Sequence, residues 1–271
     1  MFPTVSVFGH DIGSYSICAV IGMLFASVYM YFQVKRRDDL DSVQIINIAA
    51  VAGLGAFIGA HILFGVTKWR ELAAALSEPA QTFGSLKVFL TRFLEVFGGM
   101  VFYGGLLGGF LTGVWYVKHL KHIRLDPRVY ADAYAPAIPL FHVFGRIGCF
   151  LGGCCYGIEC RWGFMYHSAP IPESNGVVRL PIQLIESVGN LILFLVLHRL
   201  SKKKHVNGMV FISYMILYSI MRFILEFFRG DTVRGFLLGL STSQWVSLII
   251  FISSCISIKV IGRNETDITG Q

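Results

Sequence analysis

Seven stretches of about 20 predominantly apolar residues run along this 271-residue chain, near 13–34, 43–66, 96–117, 132–152, 182–200, 206–228 and 236–261. That is the length an α-helix needs to cross a hydrocarbon core about 30 Å thick, and a helix pairs its backbone groups within the segment, as lipid requires. Only 14% of the residues are charged and 55% are hydrophobic, against about 25% charged in a soluble domain. The expected fold is therefore all-α: a polytopic integral membrane protein of seven transmembrane helices. No internal repeat, low-complexity tract or soluble segment interrupts it, so residues 1–271 read as one membrane-embedded domain. The net charge of +7 is spread over short loops. It is a topology signal and excludes a nucleic-acid footprint. The start, "MFPTVSVFGHDIGS", holds no Lys or Arg and no small-residue cleavage site, so a removable signal peptide is not expected.

Lys and Arg set the orientation. The loops on one side, with Lys259 and Arg263, hold 13 of the 23 basic residues; the other side holds 8, and Arg146 and Arg222 fall inside helices. The richer side is read as cytoplasmic, which puts the N-terminus outside and the C-terminus inside. The two longer loops, 68–95 and 153–181, then lie on the outer face. The first contains amphipathic pieces, with Leu72 and Leu76 and then Val88, Phe89 and Phe93 at helical spacing. They suit either an interfacial helix or a cap packed on the protein.

Ionisable groups at bilayer depth are expensive, so each is informative. In "MRFILEFFRGD", Arg222, Glu226 and Arg229 share one helical stripe; Arg222 and Glu226 are spaced to pair, leaving Arg229 with spare positive charge. An orientation lock, with Arg229 snorkelling to the headgroups, is the alternative reading. Arg146 lies mid-helix, and the nearest acid in its own segment, Asp132, is about four turns away. Two uncompensated arginines suggest a shared anion, and a phosphate matches the planar guanidinium fork. Gln183 and Glu186, one turn apart behind Pro181, either hydrogen-bond the ligand or hold the arginines. "FGGMVFYGGLLGG" carries Gly104/Gly108 and Gly105/Gly109 pairs that read first as close helix packing. Beside them Tyr103 needs a partner for its hydroxyl, and Tyr15 suits either a site or an aromatic belt. Cys149, Cys154, Cys155 and Cys160 cluster as C-x4-C-C-x4-C, which lacks the C-x2-C pairing of a zinc ribbon. Small-residue packing is expected there, with no metal, and a disulfide only in an oxidising compartment.

Assembled in this order, these residues resemble the bacterial prolipoprotein diacylglyceryl transferases. "GRIGCFLGGCCYG" aligns in frame with that family's Gly-Arg-x-Gly-Asn-Phe-x-Asn-Gly-Glu-x-x-Gly signature. "GGMVFYGG", "PIQLIE" and "RFILEFFRGD" match its third-helix, Pro-x-Gln and sixth-helix motifs. The likeness covers nearly the whole chain. It implies a bacterial cytoplasmic-membrane enzyme that moves the diacylglyceryl group of phosphatidylglycerol onto the lipobox cysteine thiol of a pre-lipoprotein and releases glycerol phosphate. It implies no cofactor, and a monomer is expected. By resemblance Arg146, Arg229 and Tyr103 are the catalytic candidates. Tyr15, Gly104, Cys149, Gly157, Gln183 and Glu186 are the substrate-binding ones, Arg222 and Glu226 a structural ion pair, and Asp132 a structural acid.

The chain also departs from the family pattern. A histidine of the third helix is Tyr103 here, whose pKa of about 10 favours hydrogen bonding over proton abstraction. The signature Asn, Asn and Glu are Cys149, Gly152 and Cys154, and a second-helix arginine is Phe57. These changes bear on the acceptor more than on the lipid donor. Two alternatives follow: a paralogue acting on another envelope acceptor such as a glycan, and a non-enzymatic phospholipid-binding or transport protein.

Overall fold

The computed structural model describes residues 2–7, 9–77, 85–99, 101–119, 126–231 and 235–269. Six helices among them are long and apolar enough to cross a membrane: Ser14–Lys35, Ser42–Thr67, Pro127–Gly152, Ile182–Ser201, Met209–Glu226 and Thr242–Val260. The remaining apolar stretch forms an 18-residue helix, Phe102–His119. The protein is a multi-pass membrane protein. Large apolar side chains such as Leu24, Phe57, Leu111, Ile192 and Ile252 stand exposed along these helices, as lipid-facing residues do.

The fold divides into two compact units, one of residues 1–37 with 128–271 and one of residues 38–127. The first unit opens with a hairpin of β1 (Thr4–Val7) and β2 (His10–Gly13). Helix α1 (Ser14–Lys35) follows and packs on a later helix, α7 (Ala137–Gly152), where Gly22 lets its backbone close on Phe141 and Phe144. Phe25 stacks on Phe144 with ring centroids 4.7 Å apart. Farther along α1, the Tyr29 hydroxyl lies 3.0 Å from His198 Nδ1 on α8 (Ile182–Ser201).

The second unit is built on two glycine-lined helices, α2 (Ser42–Thr67) and α5 (Phe102–His119). A Cβ on Gly59 would run into the Gly104 carbonyl, and one on Gly108 into the Gly55 carbonyl, so the two backbones touch in antiparallel register. Without a hydrophobic drive between helices in lipid, this close approach is what holds such a pair. Between them lie α3 (Trp69–Ser77) and α4 (Leu86–Phe97), at the amphipathic pieces read from sequence, with α4 running two residues past the expected loop end at 95. Ser85 caps α4 by accepting from the Val88 N–H, and the Phe97 carbonyl lies 2.6 Å from His61 Nδ1.

Back in the first unit, α6 (Pro127–Tyr134) leads into α7. Asp132, fully buried, accepts from the backbone N–H groups of Gly208 and Phe211 at 2.6 and 2.8 Å, tying α6 to the start of α9 (Met209–Glu226). That leaves the acid with a structural task. Helix α10 (Thr242–Thr269) completes this unit by packing on α9.

The fold is mostly helical, as expected, and three short strand pairs among the described residues, β1–β2 included, accompany the helices. The segment 153–181, read as a loop, folds as an antiparallel pair of β3 (Glu159–Met165) and β4 (Val178–Arg179), and a smaller pair, β5 (Phe236–Leu237) and β6 (Leu240–Ser241), follows α9. Strands β4, β5 and β6 are two residues each, and β3 is exposed along almost its whole length, so no apolar alternation marks them.

Candidate active site

The site is built on the ends of α7, α8 and α9 with the polar segment that follows α7. Helix α7 stops at Gly153, whose φ of +73° takes the left-handed turn that ends helices without a Cβ penalty. Two residues on, Cys155 has φ +57°, a conformation costing a non-glycine residue about 1–2 kcal/mol. The two turns fold the chain back on α7. As a result the Cys149, Cys154 and Cys155 sulfurs lie within 4.8 Å of one another, all as free thiols. Gly148, one residue before Cys149, lets α1 approach: a Cβ there would sit 2.9 Å from Cys18 Cβ and 3.1 Å from Tyr15 Cα. Tyr15 is thereby held beside Arg146 and the thiols, half its surface still exposed.

Arg146 and Arg229 are not uncompensated, which corrects the reading that made them so. Arg146 Nη2 is 2.9 Å from Glu186 Oε1 on α8. Glu186 Oε2 is 3.9 Å from Arg222 Nη1, and Arg222 Nη2 is 2.6 Å from Glu226 Oε2. Ser241 donates to Glu226 Oε1 at 2.9 Å, and Arg222 donates to Ser243 at 3.3 Å. Arg229 holds Asp231 with two hydrogen bonds, Nε to Oδ1 at 3.2 Å and Nη2 to Oδ2 at 2.8 Å. Three arginines thus meet three carboxylates. The partner of Arg146 comes from a neighbouring helix, which spacing along the chain does not display. Asp231 had a readable signal, an acid two residues after the arginine.

Burial distinguishes the members. The Glu186 side chain is 2% exposed and that of Arg146 is 22% exposed, so the acid is sealed in and the arginine keeps part of its surface open. Each guanidinium carries five N–H donors, more than one carboxylate can take up. For Arg229, burial opposes the charge but the bidentate Asp231 outweighs it, and the pKa is raised above the usual arginine value.

Gly157 and Gln183 act as scaffold. Gly157 bridges Arg229 strand-fashion, and a Cβ on it would run into the Leu180 carbonyl. Ile158 N–H donates to the Phe228 carbonyl at 3.0 Å and Gly230 N–H to the Tyr156 carbonyl at 2.9 Å, fixing the turn that carries Arg229. Gln183 Nε2 donates to the Cys154 carbonyl at 2.7 Å and to the Tyr166 hydroxyl at 2.9 Å. Sequence reasoning missed Arg179, which is 8% exposed. It donates to the Glu173 carbonyl at 2.8 Å and lies 4.5 Å from the Tyr156 ring centre, binding the segment together. Tyr103 and Gly104 belong to the other unit. Gly104 closes on Gly59 there, and the Tyr103 side chain lies outside the described residues.

Apolar spanning helices with a buried arginine–carboxylate network define a multi-pass membrane protein with a buried polar site. Residues 3–260 match the family described as prolipoprotein diacylglyceryl transferase, and the chain belongs to that family. Among similar proteins is the phosphatidylglycerol–prolipoprotein diacylglyceryl transferase of Clostridium tetani, 32% identical over 91% of this chain and 92% of its own length. The Geobacter sulfurreducens protein of the same name is 33% identical over 97% and 96%. That of Clostridioides difficile is 31% identical over 98% of both.

Proposed function

We propose that this chain transfers the diacylglyceryl group of phosphatidylglycerol to the lipobox cysteine of a pre-lipoprotein, releasing glycerol phosphate. It works as a monomeric, single-domain enzyme of the bacterial cytoplasmic membrane, with seven spans, the N-terminus outside and the C-terminus in the cytoplasm. Full-length similarity to proteins named for this reaction favours it over the glycan and transport alternatives.

The observation that carries the chemistry is Arg146, partly exposed, held at 2.9 Å by the buried Glu186. As the glyceryl C–O bond breaks, charge grows on the departing phosphate, and donors fixed in advance help most at that moment. Arg146, pinned by Glu186, and Arg229, pinned by Asp231, are those donors. Tyr15 supplies a hydroxyl to substrate, and Gly157 shapes the approach. Gln183 and Cys149 line the site, while Arg222 and Glu226 keep Glu186 in place.

The test is glycerol phosphate release by the purified chain in detergent, given phosphatidylglycerol and a lipobox peptide, with the peptide's mass gain followed in parallel. Turnover by the parent with about a hundredfold loss in Arg146→Ala and Arg229→Ala supports the reading; that loss corresponds to about 3 kcal/mol. Parent-like turnover in both variants, or an inert parent, overturns it.

A further inference from the structure

The three clustered thiols are unexplained by phosphate chemistry. Cys149 ends the α7 turn that follows Arg146, and Cys154 and Cys155 fold back onto it through the left-handed turns at Gly153 and Cys155. Their sulfurs lie within 4.8 Å of one another. Metal–sulfur bonds of about 2.3 Å put three thiolates about 3.8–4.0 Å apart, a small contraction from what the fold provides. The C-x4-C-C spacing led to an expectation of packing without metal, because it lacks the zinc-ribbon pair. The backbone reversal supplies the convergence that the spacing hides. Among the described residues, no His, Asp, Glu or further Cys joins this group. Three protein ligands with a fourth position left to substrate is the arrangement of catalytic zinc.

We infer that Cys149, Cys154 and Cys155 bind one thiophilic divalent ion, zinc being the reference, and that its fourth position takes the acceptor cysteine thiol. This deepens the transferase reading and rests on it. The acceptor in that reaction is a thiol, which is mostly protonated at neutral pH and unreactive until ionised. A thiol that coordinates zinc is deprotonated outright. Its proton passes to solvent. The sulfur lone pair then forms the S–C bond to the glyceryl carbon while the C–O bond to phosphate breaks, and that bonding pair leaves with glycerol phosphate. Zinc keeps its oxidation state throughout. Four thiolates on Zn²⁺ carry two negative charges, and Arg146, one helical turn before Cys149 on α7, helps offset them. The site therefore provides acceptor activation where the family signature has Asn and Glu.

The experiment uses the full chain in detergent, stripped with a chelator and titrated with Co²⁺ as the spectroscopic probe. The expected result is one Co²⁺ per chain with thiolate-to-metal charge-transfer absorption. Cys149→Ser, Cys154→Ser and Cys155→Ser each lose it, and Cys255→Ser on α10 keeps it, with folding followed by thermal unfolding. A lipobox peptide should shift the cobalt spectrum, and the same peptide with Ser for Cys should not. Glycerol phosphate release should fall on the order of a hundredfold on stripping, the size of a lost base, and return with Zn²⁺. No charge-transfer band in the folded parent, a band that survives in all three Ser variants, or a spectrum blind to the peptide overturns the inference. Undiminished turnover after stripping overturns it while leaving the transferase reading intact. A peptide-responsive spectrum with no glycerol phosphate release from the metal-loaded parent has the opposite meaning: the thiol site stands and the transferase reading falls.

Discussion

Glu186 is the residue on which the charged network turns. It holds Arg146 at 2.9 Å from a position 2% exposed and reaches Arg222 at 3.9 Å, so removing its charge leaves Arg146 without its carboxylate while Arg222 keeps Glu226. Breaking one side of a buried pair costs about 3–5 kcal/mol, and Glu186→Gln should lower the thermal midpoint in detergent as well as the rate. Arg146→Lys separates geometry from charge. Lysine keeps the cation and loses the planar fork, so glycerol phosphate release should stay far below the parent at saturating lipid. Lys203→Ala, exposed on the loop after α8, should leave both quantities unchanged and serves as the control. The sequence showed the Arg222–Glu226 spacing because both lie on one helix, where positions four apart share a face. It concealed the Arg146–Glu186 pair, whose halves sit on helices separated by the whole 153–181 segment.

Two elements test the packing. Gly157 runs between the Leu180 carbonyl and the Arg229 backbone, and Gly230 in turn abuts the Gly157 carbonyl. Gly157→Ala must push one of these apart. It should cost about 1–3 kcal/mol by overpacking and reduce turnover through the displaced Arg229, read by thermal unfolding and release assay together. In the second unit, Gly108→Leu drives a side chain into the Gly55 carbonyl and should weaken the α2–α5 pair by a similar amount. Helix positions were legible because hydropathy over 20 residues reports burial in lipid directly: 182–200 was expected and Ile182–Ser201 is found. The β3–β4 pair was not. Its pairing slips between Glu159 and Phe164, and its faces are held by Arg179 rather than by an alternating apolar pattern.

For the whole molecule, the Lys/Arg count makes a topological claim that labelling decides. Trp162, 85% exposed in β3, should lie outside and Lys203 inside. Cysteine placed at each should react with an impermeant thiol reagent, above the parent's background, from opposite faces of sealed vesicles. Labelling of both from one face refutes the seven-span arrangement with an outer N-terminus. The arginine–carboxylate network also bears on how the chain enters the bilayer. Arg146 lies on α7 and Glu186 on α8, so this pair is neutral only when the two helices lie side by side, whereas Arg222 and Glu226 match each other within α9. A nascent chain made only as far as residue 152 would present a lone arginine to lipid, at about 2.5–3.5 kcal/mol on the insertion scale. Synthesis through α8 supplies Glu186 and matches it. The order of elements therefore makes α7 wait at the insertion machinery for its successor, and the helices leave it as a group.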